Sequence, residues 1–195
     1  MQYQKNLKII TEPSAEPVSV SEAKTHLRIT TTDEDTYITT LIKVARQLCE
    51  YYTNRRFIDT TLETYFDVFE DTMYLYGSPA NSFTHLKYYD SDGVLQTVAT
   101  DVYNIDLVST PARIVLAGEK SWPSIQTNRP GVIVAKYISG YGSSASGVPE
   151  KIKQAILLMV ANYYEVRQDV VVGTVANKIP VSSQYLLDTF KIDSI

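Results

Sequence analysis

Cysteine is nearly absent. Cys49 stands alone, which excludes an intrachain disulfide and leaves no thiol spacing for a metal site. Histidine is almost as scarce: His26 and His85 form no H-x-x-x-H zinc pattern and stand in no nucleophile motif. The chain lacks the G-x-S-x-G turn of serine hydrolases and the G-x-x-x-x-G-K-[ST] phosphate loop. Gly140-Tyr141-Gly142 has no third glycine and no dinucleotide-binding context, so it reads as linker. There is no excess of positive charge. At a net −4, with Lys and Arg scattered and never striped with aromatics, no basic field draws nucleic acid. No window reaches the roughly eighteen consecutive apolar residues of a membrane span. Residues 1–17 lack the apolar core, roughly 7–15 residues long, of a secretory signal. Together these absences leave no catalytic, cofactor-binding or metal-ligating residue to name. They predict a non-enzymatic protein of the cytoplasm, or of a particle assembled there.

What is present is an ordinary globular composition: 195 residues, 44% hydrophobic and 21% charged, enough for one domain or one domain with a large insertion. Tyrosine is the exception, with fifteen against a single Trp. An apolar ring with a polar tip suits half-exposed strands, and equally a contact surface.

Residues 1–17, with Pro13 and Pro17, read as an extended arm in which Leu7, Ile9 and Ile10 pair or pack locally. Ser19-Val20-Ser21-Glu22 is a capping box opening a first helix, with Val18 and Ala23 at the staple positions. The β-branched run Ile29–Thr32 ends that helix. A second helix is predicted from Asp33, whose first turn gathers Asp33, Glu34 and Asp35 at the positive end of the dipole. The three acids serve as a cap in preference to a metal site. Ile38, Leu41, Ile42, Ala45, Leu48, Cys49 and Tyr52 form its apolar stripe, and Lys43, Arg46, Gln47 and Glu50 its polar face. Asn54 suits the left-handed cap. Arg55 and Arg56 either complement the dipole or meet a phosphate or partner.

From Asp59 to Tyr141 the period becomes two. Leu62, Thr64, Phe66 and Val68 alternate with Glu63, Tyr65 and Asp67. Six further short runs follow, divided by Gly77-Ser78-Pro79, by Asp90–Gly93, by Ser109-Thr110-Pro111 and by the loop from Trp122 to Gly131. Val132–Ile138 is apolar enough to be the central strand. The pattern predicts an antiparallel sandwich or barrel inserted between helical parts. A flexible linker, 142–147, leads back to the helices.

Gly147–Arg167 then reads as one helix. Pro149 fits its first turn and Glu150 its dipole. Ile152, Ala155, Ile156, Met159, Val160 and Tyr163 share a face, and Leu157, Leu158 and Ala161 make the middle apolar almost all round. Such a helix is either central in its own domain or shared with a neighbouring subunit. Full burial of Leu157 and Leu158 within one subunit would favour the first reading, and exposure the second. Beyond it lie Val170-Val171-Val172, Ile179, a short helix capped by Ser182 or Ser183 and carrying Tyr185, Leu186, Leu187 and Phe190, and an apolar tail. Such a terminal segment docks on its own domain or on a partner.

The fold class is therefore α+β: a small helical bundle of 18–58 and 148–169, an inserted β subdomain of 59–141, and a docking segment of 170–195. The order EPVSVSEAKTHLRI, DEDTYITTLIKVARQLCEYYTNRRF, a β-rich middle, GVPEKIKQAILLMVANYYEVRQDVVVG and IPVSSQYLLDTF resembles the head–tail connector (adaptor) proteins of tailed bacteriophages and prophages, the group related to the HK97-type connector. The most specific pieces are Glu16-Pro17-Val18-Ser19 with Glu22-Ala23-Lys24, the helix closing on Thr53-Asn54-Arg55, and Val148-Pro149 leading to Tyr163-Tyr164-Glu165 and Gly173. The resemblance covers both helical parts and the C-terminal segment, and the β middle only as a type.

The resemblance implies a structural, non-enzymatic virion protein at the head–tail interface, assembled in the bacterial cytoplasm. Such proteins form a ring, commonly dodecameric, under the portal protein, with a tail or stopper protein below and DNA only passing through the lumen; the subunit can be monomeric alone. On this reading Ile38, Leu41, Leu48, Tyr52, Ile152, Ile156, Leu157, Leu158, Met159 and Val160 are core or ring-packing residues. Val170, Val171, Val172, Ile179, Tyr185, Leu186, Leu187 and Phe190 lie in the portal-contact segment. The other reading the residues leave open is a β module for binding or decoration on a phage particle, carried on a helical base.

Overall fold

A computed structural model of the chain describes residues 6–166 and 180–192. Val170, Val171, Val172 and Ile179 of the expected portal-contact segment lie outside the described residues. The chain divides into two units: the described residues of Ser14–Ile58 and Gly142–Asp193 in one, and those of Met1–Pro13 and Asp59–Tyr141 in the other.

The first unit is helical. Helix α1 (Val20–Leu27) begins on a complete capping box. The Glu22 N–H donates to Ser19 Oγ at 3.1 Å, and the Ser19 N–H donates to Glu22 Oε2 at 2.7 Å. The Ser19 hydroxyl also donates to Glu22 Oε2, at 2.6 Å, and this bond first, then the one from the Ser19 N–H, holds the Glu22 carboxyl below its ordinary range. Val18 and Ala23, the staple pair, are both buried. Arg28 closes the helix in the left-handed region, at φ 61°.

Helix α2 (Asp35–Thr53) starts later than its acids suggest: Glu34 is the cap position and makes no side-chain cap bond. The acids are drawn sideways instead. Lys24 Nζ donates to Asp35 Oδ1 at 2.7 Å, and the Tyr164 hydroxyl donates to Glu34. Asn54 takes the left-handed cap at φ 55°. A 3-10 turn (Ala145–Gly147) occupies the end of the expected linker and leads into α3 (Glu150–Glu165). Pro149 caps α3 rather than entering its first turn, and its carbonyl accepts from the Ile152 and Lys153 N–H groups. Helix α4 (Val181–Asp188) is capped at Pro180, not at a serine. Ser183 is buried inside it, and its Oγ donates to the Ala155 carbonyl at 3.3 Å, tying α4 to α3. The core of this unit is Ile38, Leu41, Ile42, Ala45 and Cys49 of α2, Ile152, Ala155, Ile156, Met159 and Val160 of α3, and Leu187 of α4.

The second unit is built of antiparallel strands. One sheet has five strands in the order β1 (Leu7–Thr11), β2 (Thr60–Phe66), β8 (Ile133–Ser139), β4 (Ala80–Tyr89) and β5 (Leu95–Thr97). The other has three, in the order β3 (Thr72–Leu75), β7 (Ala112–Leu116) and β6 (Tyr103–Asp106). The arm is thus partly a strand: β1 pairs with β2, Ile9 opposite Leu62. The most apolar run, β8, is the central strand, flanked by β2 and β4. The inward residues of both sheets meet in one core. Leu62, Leu86, Ile133, Ala135 and Tyr137 of the larger sheet pack with Met73, Leu75, Ala112 and Ile114 of the smaller. Tyr137 is fully buried because its hydroxyl finds two partners: Thr64 Oγ1 at 2.7 Å, and the Tyr76 carbonyl, to which it donates at 2.8 Å. Val68 falls beyond the end of β2 and is exposed.

Candidate functional site

Among the described residues no group of His, Cys, Asp and Glu is placed to hold a metal. Cys49 faces the Met159 sulfur at 3.3 Å, and burial, followed by the Glu50 charge, pushes its thiol up to about 12. His85 is lowered by burial and by its neighbours Lys87 and Lys136. Among the described residues no helix is long and apolar enough to cross a membrane. What remains are surfaces, and the interior that holds them in place.

The least expected interior feature is charged. Arg46 and Glu50 belong to the polar face of α2 by pattern, yet both are buried, at 2% and 3% exposure. Arg46 lies 2.7 Å from Glu16 Oε2 and 2.9 Å from Glu50 Oε2. Arg56 approaches Glu50 at 3.6 Å, and Glu50 Oε1 accepts the Phe57 N–H at 2.9 Å. Burial pushes the Glu50 carboxyl up; the two guanidiniums and the Phe57 N–H oppose it. The network ties α2 to the segment that precedes α1, at Glu16, and to the segment that leaves α2, at Phe57. Its only sequence signal is the Arg-x-x-x-Glu spacing of residues 46 and 50, which a solvated helix face shows equally well.

The end of α2 holds the C-terminal segment. The Tyr52 hydroxyl donates to Asp188 Oδ1 at 2.6 Å. Arg55 Nε donates to the Phe190 carbonyl at 2.5 Å, and Asn54 Nδ2 to the Ile192 carbonyl at 2.8 Å. The Ile192 N–H donates to the Thr53 carbonyl at 3.1 Å. Arg55 and Arg56 are therefore occupied internally, one by a carbonyl and the other by Glu50.

Of the residues expected in the core or ring packing, Ile38, Leu41, Ile152, Ile156, Met159 and Val160 are buried, and Leu48, Tyr52, Leu157 and Leu158 are half-buried. Leu157 and Leu158 therefore meet neither of the two conditions set for them. In the C-terminal segment Leu187 is wholly buried, Leu186 and Phe190 are half-buried, and Tyr185 is 79% exposed. Val181, at 66%, joins Tyr185 on the outside of α4, and Val44 and Tyr51 are exposed on α2.

The β unit carries a groove of about 670 Å³ lined by Asn81, Phe83 and Thr84 of β4, Tyr103 and Ile105 of β6, and Leu107 and Val108 beyond it. Phe83 and Tyr103 meet edge to face in it, with centroids 5.9 Å apart. Nearby, Asp106 closes its own turn. The Ser109 hydroxyl and N–H, then Arg113 and the Val108 N–H, hold its carboxyl down at about 2.

Residues 17–96 match the model of the family described as phage gp6-like head-tail connector proteins. No curated protein sequence matches the chain. Three solved structures share its fold nearly end to end, each aligned over 97% of this chain and 96% of its own. They are a chain from the neck of an empty gene transfer agent particle with C6 symmetry (23% identity, TM-score 0.79), one from the virion of the native particle (24%, 0.76), and one from the native neck with C12 symmetry (25%, 0.76). The match falls on α1, the whole of α2 with Arg46, Glu50 and Arg56 of its buried charge network, and β2 to β4. Over residues 17–96 the chain is thus similar to the phage gp6-like head-tail connector proteins.

Proposed function

We propose that this protein is a structural component of the neck of a phage-like particle, a ring of identical subunits that joins the portal to the tail or stopper protein. The observation that carries this reading is the coincidence of two independent likenesses. The family match lies on α1, α2 and the first strands of the β unit, and the fold of cyclic neck structures extends over both units. A cyclic ring needs two different complementary surfaces on each subunit. Val44 and Tyr51 on α2, with the half-buried Leu157 and Leu158 of α3, are the helical unit's candidates for that contact.

On this reading α4 forms part of the portal-side contact. Leu187 and Ser183 fix it to its own unit, so Val181 and Tyr185 are the residues that meet the portal. The test is co-sedimentation with portal rings. Val181→Asp with Tyr185→Ala should lower portal binding at least tenfold without changing the melting temperature. Undiminished binding would remove α4 from the contact.

A further inference from the structure

The five-stranded sheet has an incomplete edge. Strand β5 pairs with β4 only at Lys87, Tyr88 and Tyr89. Among the described residues no strand pairs with Asn81–His85 on the side away from β8. That open stretch borders the groove of Phe83, Tyr103, Ile105, Leu107 and Val108, in which no charged side chain takes part. At the far side of the same sheet, β1 pairs with β2 alone among the described residues, and it exposes Ile9 at 40% and Ile10 at 37%.

The two edges fit each other in level, sense and chemistry. The registers place Ile9, Leu62, Tyr137 and Phe83 in one cross-strand row, so β1 lies level with the open part of β4 and not with β5. Three antiparallel steps separate β1 from β4, so the two run in opposite senses. A second copy, turned about a cyclic axis without being inverted, presents its β1 antiparallel to this β4. Unpaired strand edges template such pairing.

We infer that β1 of one subunit adds to the open half of β4 in the next, seating Ile9 beside Phe83 and continuing an antiparallel sheet from copy to copy. This rests on the ring reading above and names one of its interfaces. Row matching selects the partner strand. A slip of one residue would turn Ile9 away from the Phe83 face, and an unrelated peptide would have no reason to match the row.

Disulfide trapping in assembled necks tests it. Ile9→Cys with Phe83→Cys cannot bridge within one chain, because three strand spacings of about 4.8 Å separate the positions, well beyond the reach of a disulfide. Cys49 is buried and does not compete. With an added oxidant, necks carrying the pair should give a covalent ladder of subunits. The control pair Ile9→Cys with Leu95→Cys, whose rows differ, should not. Necks of normal mass that yield only monomer, or a ladder in the control instead, would overturn the inference and leave the ring reading standing. Failure of the unaltered chain to form any ring would overturn both. As a second variant, Ile9→Arg changes an exposed residue. The melting temperature should hold while ring yield falls at least tenfold, and unchanged yield would also overturn the inference.

Discussion

Glu50 is the residue on which the helical unit is most exposed to failure. Two guanidiniums, Arg46 and Arg56, have been taken out of water around it, and Arg56 Nε has no hydrogen-bond partner among the described residues. Glu50→Ala leaves that positive charge buried without its carboxylate. The expected cost is about 3–5 kcal/mol, read from urea denaturation at neutral pH. Cys49 offers a second check. With its thiol pushed up to about 12 it should ignore a thiol reagent at pH 8 in the folded protein and react fully in denaturant. Asp106 gives the pH dependence. Its carboxyl is lowered from 3.8 to about 2 by Ser109 and Arg113, so the turn it closes is fully supported above 3.8 and loses that support as pH falls through about 2. An NMR titration should place its midpoint near 2, and Asp106→Asn should abolish the dependence; a midpoint near 4 would contradict the turn described.

At the scale of elements, the helices differ in how they are held. Helix α1 is short and rests on its capping box, so Ser19→Ala should cost about 1 kcal/mol by thermal or urea denaturation. Helix α3 rests on burial instead, and Ile152→Ala should cost about 2–5 kcal/mol. The features legible from the chain were those written in local pattern. Ser19 and Glu22 stand at capping-box spacing, Asn54 stops α2, and the apolar run of β8 marks the sheet centre. Features fixed by contacts distant in sequence were not legible. Arg46 and Glu50 look solvated until Glu16 and Arg56 close over them. Leu187 looks like a contact residue until α4 folds onto α3, and Ser183 looks like a cap until its hydroxyl meets the Ala155 carbonyl. The groove and the open edge of β4 depend on strand order, which periodicity does not encode.

For the whole molecule, the two units divide the proposed work. The helical unit carries α4 and the apolar residues of α2 and α3, and the β unit carries the two sheet edges inferred to pair between copies. Among the described residues no group of His, Cys, Asp and Glu is placed to hold a metal, and on the proposed reading both units offer surfaces for a second copy. The central claim is that this chain forms a neck ring on a portal. It is tested most directly by the mass of the complex formed when the purified chain is mixed with portal rings. The account predicts one discrete high-mass species, a portal ring carrying a closed ring of this chain, even where the chain alone is monomeric. A chain that stays at 21.9 kDa beside an unaltered portal ring would contradict it.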